Sequence, residues 1–129
     1  MALSEISRQA LIDRATNQIE LEVVGSVELL CEFILPQIMN ERISSRSDEA
    51  KRIKREILNF TDKVKSAHIQ YMDIVEYFEQ APLYGGKPAA KLNSQVLYNE
   101  HGALQEFNTI WVLSCGVWYT TALYKKWFE

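Results

Sequence analysis

Residues 50–81 read AKRIKREILNFTDKVKSAHIQYMDIVEYFEQA, and this stretch carries the clearest periodic pattern in the chain. Its small and apolar residues recur at alternating steps of three and four: Ala50, Ile53, Ile57, Phe60, Val64, Ala67, Tyr71, Ile74, Phe78 and Ala81. Residues three and four apart share one side of an α-helix. The pattern therefore predicts one long amphipathic helix that ends near Gln80 and packs lengthwise against other helices, as in a coiled coil.

The residues before this stretch have similar spacing. Ser4 is a suitable N-cap, and apolar residues recur at steps of three or four from Ile12 to Ile38. A first helix is therefore expected from about Ser4 to the high thirties. Because Pro36 lacks an amide hydrogen and crowds the preceding turn, the helix should kink or stop there.

The residues after this stretch predict a loop and a third helix. Residues 81–88, APLYGGKP, combine turn formers with residues that resist helix continuation. Asn93 or Ser94 can cap a helix in which Leu97, Leu104, Phe107, Trp111, Ser114, Trp118 and Thr121 keep helical spacing. The expected fold is an all-α, antiparallel helical bundle of three long helices, or of four if one is broken near Pro36 or Gly102. We expect one domain over residues 1–129.

The most apolar segment, residues 110–124, would be hydrophobic around the whole circumference of a helix. It is shorter than the roughly 20 apolar residues of a membrane span, so a membrane partner is not expected. The segment is either an enclosed central helix or an interface with a second copy or another protein. The candidates for that interface are Trp111, Val112, Val117, Trp118 and Tyr119, joined by Trp127 and Phe128 if the last turn frays.

Charge is unevenly distributed although the net value is only −3. Residues 1–41 carry two basic and seven acidic groups, whereas residues 42–66 carry eight and four. The basic block can steer the first two helices together, or its face formed by Lys51, Arg52, Lys54 and Arg55 can bind an anion or nucleic acid. Because Glu56 interrupts this face, no aromatic residue interleaves with it and the pI is near 5.5, any nucleic-acid binding should be weak.

Recognisable catalytic patterns are missing from the sequence. Neither His68 nor His101 has the glutamate three residues earlier that di-metal bundles use. Gly-x-Ser-x-Gly, Cys-x-x-Cys and His-Glu-x-x-His are also absent. We therefore expect no cofactor and no metal, and a non-enzyme rather than an enzyme. An enzyme whose residues converge from separate helices is the third alternative.

Cysteine usage and the N-terminus bear on location. Cys31 and Cys115 both lie in apolar runs, as reduced and buried thiols do, and the first residues lack a secretory signal. A cytoplasmic protein is expected. The function predicted from all these features is non-catalytic protein–protein interaction or assembly, as in a small adaptor, an inhibitor or a viral or phage accessory subunit. Its partner is another protein or a second copy in a homo-oligomer, and the alternative is a nucleic-acid-associated regulator that uses the basic face.

Overall fold

A computed structural model describes residues 3–25, 27–35, 47–100 and 102–121, without the side chains of residues 27–28 and 47–54. Within these ranges the chain forms three α-helices followed by a four-stranded antiparallel sheet. The helices are α1 (Glu5–Val24), α2 (Val27–Cys31) and α3 (Ser47–Lys63). The strands are β1 (Ala67–Ala81), β2 (Lys87–Tyr98), β3 (Leu104–Ser114) and β4 (Val117–Thr120).

The sheet is a simple meander with the order β1-β2-β3-β4. A short 3₁₀-helix, Pro82–Tyr84, joins β1 to β2, and the two residues Cys115 and Gly116 join β3 to β4. Both of these turn residues have positive φ values, 52° and 78°, which is the backbone of a type I′ hairpin turn. Residues 33–35 run alongside β4 in the parallel direction. The Leu35 N–H donates to the Thr120 carbonyl at 2.9 Å.

The helices pack against one face of the sheet, called the inner face below. One inner cluster joins Ile19, Leu30, Phe33, Ile57, Phe60, Val64, Val96 and Tyr98. A second joins Leu11, Ala15, Ala90, Leu92, Trp111 and Trp118. A third cluster, Leu35, Ala81, Ala89 and Val112, contains residues of the opposite face near the turn between β1 and β2. The core therefore lies mainly between helices and sheet, and at one end the sheet is covered on both sides.

The predicted all-α, coiled-coil-like bundle is wrong, because residues 67–81 form a strand instead of continuing the helix. Three register shifts interrupt the pairing of β1 with β2. The β1 residues that pack inward are Ala67, Ile69, Met72, Ile74 and Tyr77. The residues of the helical pattern therefore lie on both faces, since Tyr71 and Phe78 have the opposite register. Because both faces of β1 carry apolar residues, a series at steps of three and four can be drawn through them although its members share no side.

The predicted third helix is also wrong, since residues 87–120 form three strands. Trp111 packs on the inner face while its neighbour Val112 packs on the other, so this part of β3 is buried on both sides. Such a strand has a continuous apolar run in place of alternation. The apolar run at residues 110–119 thus consists of the doubly covered part of β3, the turn between β3 and β4, and the beginning of β4.

Parts of the prediction are confirmed. Ser4 caps α1 by accepting a hydrogen bond from the Ser7 N–H at 3.2 Å. The helix ends earlier than expected, at Val24, where Gly25 adopts a left-handed conformation with φ 81° and donates to the Leu21 carbonyl. The predicted turn after Ala81 is present. Pro36 lies outside the described residues.

Candidate interaction surfaces

The outer face of the sheet, turned away from the helices, offers the broadest candidate surface. Strand register assigns its residues: His68, Tyr71, Asp73, Glu76 and Phe78 in β1; Ala89, Lys91, Asn93, Gln95 and Leu97 in β2; Leu104, Glu106, Asn108, Ile110 and Val112 in β3. An antiparallel sheet with one solvated face normally alternates apolar residues inside with polar residues outside. This face departs from that rule at both of its ends.

The centre of the outer face is polar and rigidly bonded. The Asn93 side-chain amide donates to Asn108 Oδ1 at 3.0 Å, and the Gln95 amide donates to Glu106 Oε2 at 2.9 Å. Each bond crosses from β2 to β3 between residues that are directly paired in the sheet. These cross-strand bonds hold the side chains in one arrangement and fix the shape of the surface.

The end of the outer face nearest the β1–β2 turn is apolar. Phe78 and Leu83 are exposed at this end, Leu83 with 88 % of its surface accessible. They adjoin a cavity of about 250 Å³, which is lined by Phe78, Ala81, Pro82, Leu83, Tyr84, Ala89 and Ile110. Tyr71 and Val75 are exposed farther along β1. Exposed apolar groups around a cavity are characteristic of protein contact sites.

The opposite end of the outer face is also apolar. Leu97 and Leu104 are directly paired across β2 and β3, and Leu104 is exposed. The outer face therefore has an apolar patch at each end and a polar band between them.

A separate cleft of about 660 Å³ lies between the C-terminal part of α1 and the beginning of β1. Ile19 and Val23 line it from the helix, and Ala67 and Ile69 line it from the strand. Glu20, Lys65 and His68 are exposed at its rim. The cleft thus combines an aliphatic floor with charged groups of both signs.

The interface candidates from the apolar run have different positions. Trp111, Val112 and Trp118 are buried within the chain itself. Tyr119 is half-buried, and Val117 is exposed beside the β3–β4 turn. Trp127 and Phe128 lie outside the described residues. The buried Trp111 donates its indole N–H to Thr109 Oγ1 at 2.9 Å, which shows that it serves the core.

The predicted basic face belongs to α3. Arg55 is exposed on that helix, whereas Ile57 and Phe60 face the core. The backbone of α3 also includes Lys51, Arg52 and Lys54. Their side chains lie outside the described part of the structure.

One ionisable pair lies inside the core. Tyr98 donates its hydroxyl proton to Glu22 Oε1 at 2.8 Å, and Glu22 is fully buried. Burial first, and then the nearby Glu22 carboxylate, raise the pKa of Tyr98 above its ordinary value. The pair joins α1 to β2 and has no direct opening to the cleft residues, so we interpret it as a structural hydrogen bond.

Arg14 connects α1 to the edge of the sheet. Its guanidinium lies 4.0 Å from the centre of the Phe33 ring and 5.6 Å from that of Tyr119. It donates to the Trp118 carbonyl at 3.0 Å. Burial lowers the pKa of Arg14, and the nearby Tyr119 and Glu32 oppose this effect. Because an arginine starts from a very high pKa, the side chain stays charged and keeps these contacts.

The described part of the chain contains no group of three or more His, Cys, Asp or Glu side chains placed to hold a metal ion. No helix among the described residues is both long and apolar enough to cross a lipid bilayer. Cys31 and Cys115 are free thiols. The chain matches no protein-family model, no curated protein and no solved structure.

Sequence reasoning missed several residues that form these surfaces. The periodic pattern predicts Tyr71 and Phe78 on the packed side of a helix, but both are exposed on the outer face. Val75 falls outside that pattern, and Leu83 lies in the predicted turn at residues 81–88, to which the sequence assigns no contact. The usable signal was composition: residues 69–78 are rich in β-branched and aromatic residues, which favour strands. A second signal was the leucine within the turn-forming sequence Pro-Leu-Tyr-Gly-Gly, since turns usually contain polar residues.

Proposed function

We propose that this protein is a non-catalytic assembly module that associates with a second copy of itself through the outer face of its sheet. The observation that carries the proposal is the set of exposed apolar side chains along β1 and its turn, of which Phe78 and Leu83 adjoin the 250 Å³ apolar cavity. Removing apolar surface from water is the main driving force of protein association.

The outer face is close to the minimum size for a specific dimer. β2 has 12 residues, and at about 3.3 Å per residue and 4.8 Å between strands the three long strands cover about 40 by 14 Å. Ala81, Ala89 and Val112 near the turn are already buried within the chain. Two copies can therefore bury at most about 1,000 Å² in projection, the lower limit of stable interfaces, and the contact relies on the relief of exposed side chains such as Phe78, Leu83 and Leu104.

The charges of the outer face are complementary to themselves. Lys91 lies two residues before Asn93, and Glu106 is paired with Gln95, two residues after it. A two-fold axis that lies in the interface, runs across the strands at a small inclination and passes between Asn93 and Asn108 would place Lys91 of each copy opposite Glu106 of the other. The same axis would place Phe78 of one copy near Leu104 of the other, so apolar surface would meet apolar surface.

Light scattering coupled to size-exclusion chromatography tests the proposal. We expect the wild type to have twice the mass of the 14.9 kDa chain. Leu83→Glu should convert it to a monomer, because a carboxylate would be buried without a partner. The matched control is Ile6→Glu on α1, since Ile6 is 85 % exposed and Leu83 is 88 % exposed. It should remain dimeric.

Two results would overturn the proposal. One is a wild type that stays monomeric at a concentration of several hundred micromolar. The other is a dimer that survives Leu83→Glu and Leu104→Glu, each shown by circular dichroism to be folded. We place this assembly in the cytoplasm, and the two free cysteines support that location.

A further inference from the structure

The cleft between α1 and β1 includes the free edge of a sheet. β1 pairs with β2 on one side only, and among the described residues no strand pairs with its other edge. In an antiparallel edge strand, every second residue directs its N–H and C=O groups away from the neighbouring strand. Such groups form a template for another extended chain.

α1 forms the second wall of this cleft. Ile19 belongs to the inner core cluster against which Ala67 and Ile69 also pack, so helix and strand meet at the base of the cleft. Above that base the space widens to about 660 Å³, with Val23 on the helix side. A chain that enters here has backbone hydrogen-bonding groups on one side and aliphatic side chains on the other.

We propose that this cleft binds an extended peptide segment of a partner protein, which adds as a short strand to the free edge of β1 and packs on α1. Backbone hydrogen bonds to β1 give the affinity in this mode, and the side chains that alternate along the peptide give the specificity. This site shares only His68 with the outer face, and the proposal does not depend on dimer formation.

The lining of the cleft defines the peptide. Side chains point alternately to opposite sides of a strand, so every second residue of the peptide should be aliphatic and contact Ile19 and Val23. Lys65 and His68 stand at the rim on the strand side. An acidic residue of the peptide is therefore favoured on that side, and Glu20 favours a basic residue beside the helix.

The bulges in β1 limit the length of the added strand. The first register shift lies between Ile69 and Tyr71, and two more follow before Ala81. Bulges protect sheet edges from extended pairing. The N–H groups of Lys65 and Ser66 are bonded to the Asn99 side chain. The regular free edge therefore spans residues 67–69, which at about 3.3 Å per residue matches about three or four residues of a peptide.

A displayed library of random octapeptides, selected against the purified full chain, is the test. We expect enrichment of sequences with alternating aliphatic residues. Synthetic copies of an enriched peptide should bind in a fluorescence anisotropy titration. Methylation of alternate backbone nitrogens removes the donors needed for strand addition and should weaken binding at least tenfold.

A pair of neighbouring valines supplies the matched control. Val23, 37 % exposed, lines the cleft, whereas Val24, 74 % exposed, does not. Val23→Lys should weaken binding of the selected peptide at least tenfold, and Val24→Lys should leave it unchanged. The proposal is overturned if no peptide is enriched, if N-methylation has no effect, or if both lysine variants bind equally well. The Leu83→Glu monomer should bind the peptide as the wild type does, so failure of the dimer proposal would be seen separately.

Discussion

At the scale of single residues, the clearest constraint is at Gly102 in the connection between β2 and β3. A Cβ atom at this position would lie 2.0 Å from the Tyr98 carbonyl oxygen, and backbone atoms cannot move away without displacing the strand. The Gly102 N–H also donates to the Asn99 carbonyl at 3.3 Å, which closes the turn. Only glycine fits at this position, because a Cβ atom would collide with the backbone.

Replacing Gly102 by alanine should lower the free energy of unfolding by about 2–3 kcal/mol, the cost of forced overpacking. Gly85→Ala is the comparison, because its added Cβ meets nothing within 4 Å and only the positive φ of 68° opposes it. That change should cost about 1 kcal/mol. Urea unfolding of both variants measures the difference, and equal losses would contradict the steric explanation.

The buried Tyr98–Glu22 hydrogen bond should be visible in the dependence of stability on pH. Because the pKa of Tyr98 is raised in the folded protein, its contribution is fully present below the ordinary tyrosine pKa of about 10 and is lost as the pH rises above that value. Tyr98→Phe should cost about 1–3 kcal/mol near neutral pH, since Glu22 loses its donor in the core.

The measurement is the difference in unfolding free energy between the wild type and Tyr98→Phe, followed from pH 7 to pH 11. It should shrink above about pH 10. Tyr71→Phe serves as the control, because Tyr71 is exposed on the outer face. A constant difference, or the same loss from Tyr71→Phe, would show that the hydroxyl of Tyr98 contributes nothing specific.

At the scale of the elements, α3 has the face assigned to it from the sequence. Ile57, Phe60 and Val64 are buried at helical spacing. The Phe60 ring packs edge-on against Tyr98, with 5.6 Å between the ring centres and 83° between the planes. This part of the original pattern is correct because α3 is an ordinary amphipathic helix with one covered side.

Phe60→Ala should therefore destabilise the protein by about 3–5 kcal/mol through the cavity that it leaves. Leu58→Ala changes an apolar residue of the same helix that is exposed, and it should cost less than about 1 kcal/mol. Chemical denaturation of the two variants distinguishes them. Similar losses would mean that α3 does not pack through Phe60.

The same pattern failed beyond Lys63 for a reason that lies in β1 itself. Both faces of β1 carry apolar residues, and the predicted series takes Ala67 and Ile74 from the inner face and Tyr71 and Phe78 from the outer face. The sequence of α3 and β1 consequently reads as one periodic segment. Their boundary at Ser66 depends on Asn99, whose side-chain oxygen accepts from the Lys65 N–H at 2.6 Å. That contact spans 34 residues and cannot be read from local spacing.

At the scale of the whole molecule, the observed sheet exposes different residues to a partner than the predicted helical bundle would. The tryptophans of the apolar run fill the core, and the exposed apolar groups come from β1 and its turn. The sequence predicts self-association because the run at residues 110–124 is more apolar than one neighbouring element could cover. Its location could not be predicted, because which face of a strand is covered depends on the register and on the helices packed against it.

Dimer formation through the outer face should make thermal stability depend on protein concentration, since mass action stabilises the associated native state. For the wild type we expect the Tm to rise by about 2–4 °C for each tenfold increase in concentration. Leu83→Glu should remove this dependence, whereas Ile6→Glu, a matched change at an equally exposed position on α1, should keep it. Differential scanning fluorimetry from 1 to 100 µM provides the measurement. This is roughly the range over which the fraction of dimer changes if the Kd is micromolar. A wild-type Tm that stays constant over this range would show that the native state is not stabilised by association, and the exposed row on β1 would then need another partner.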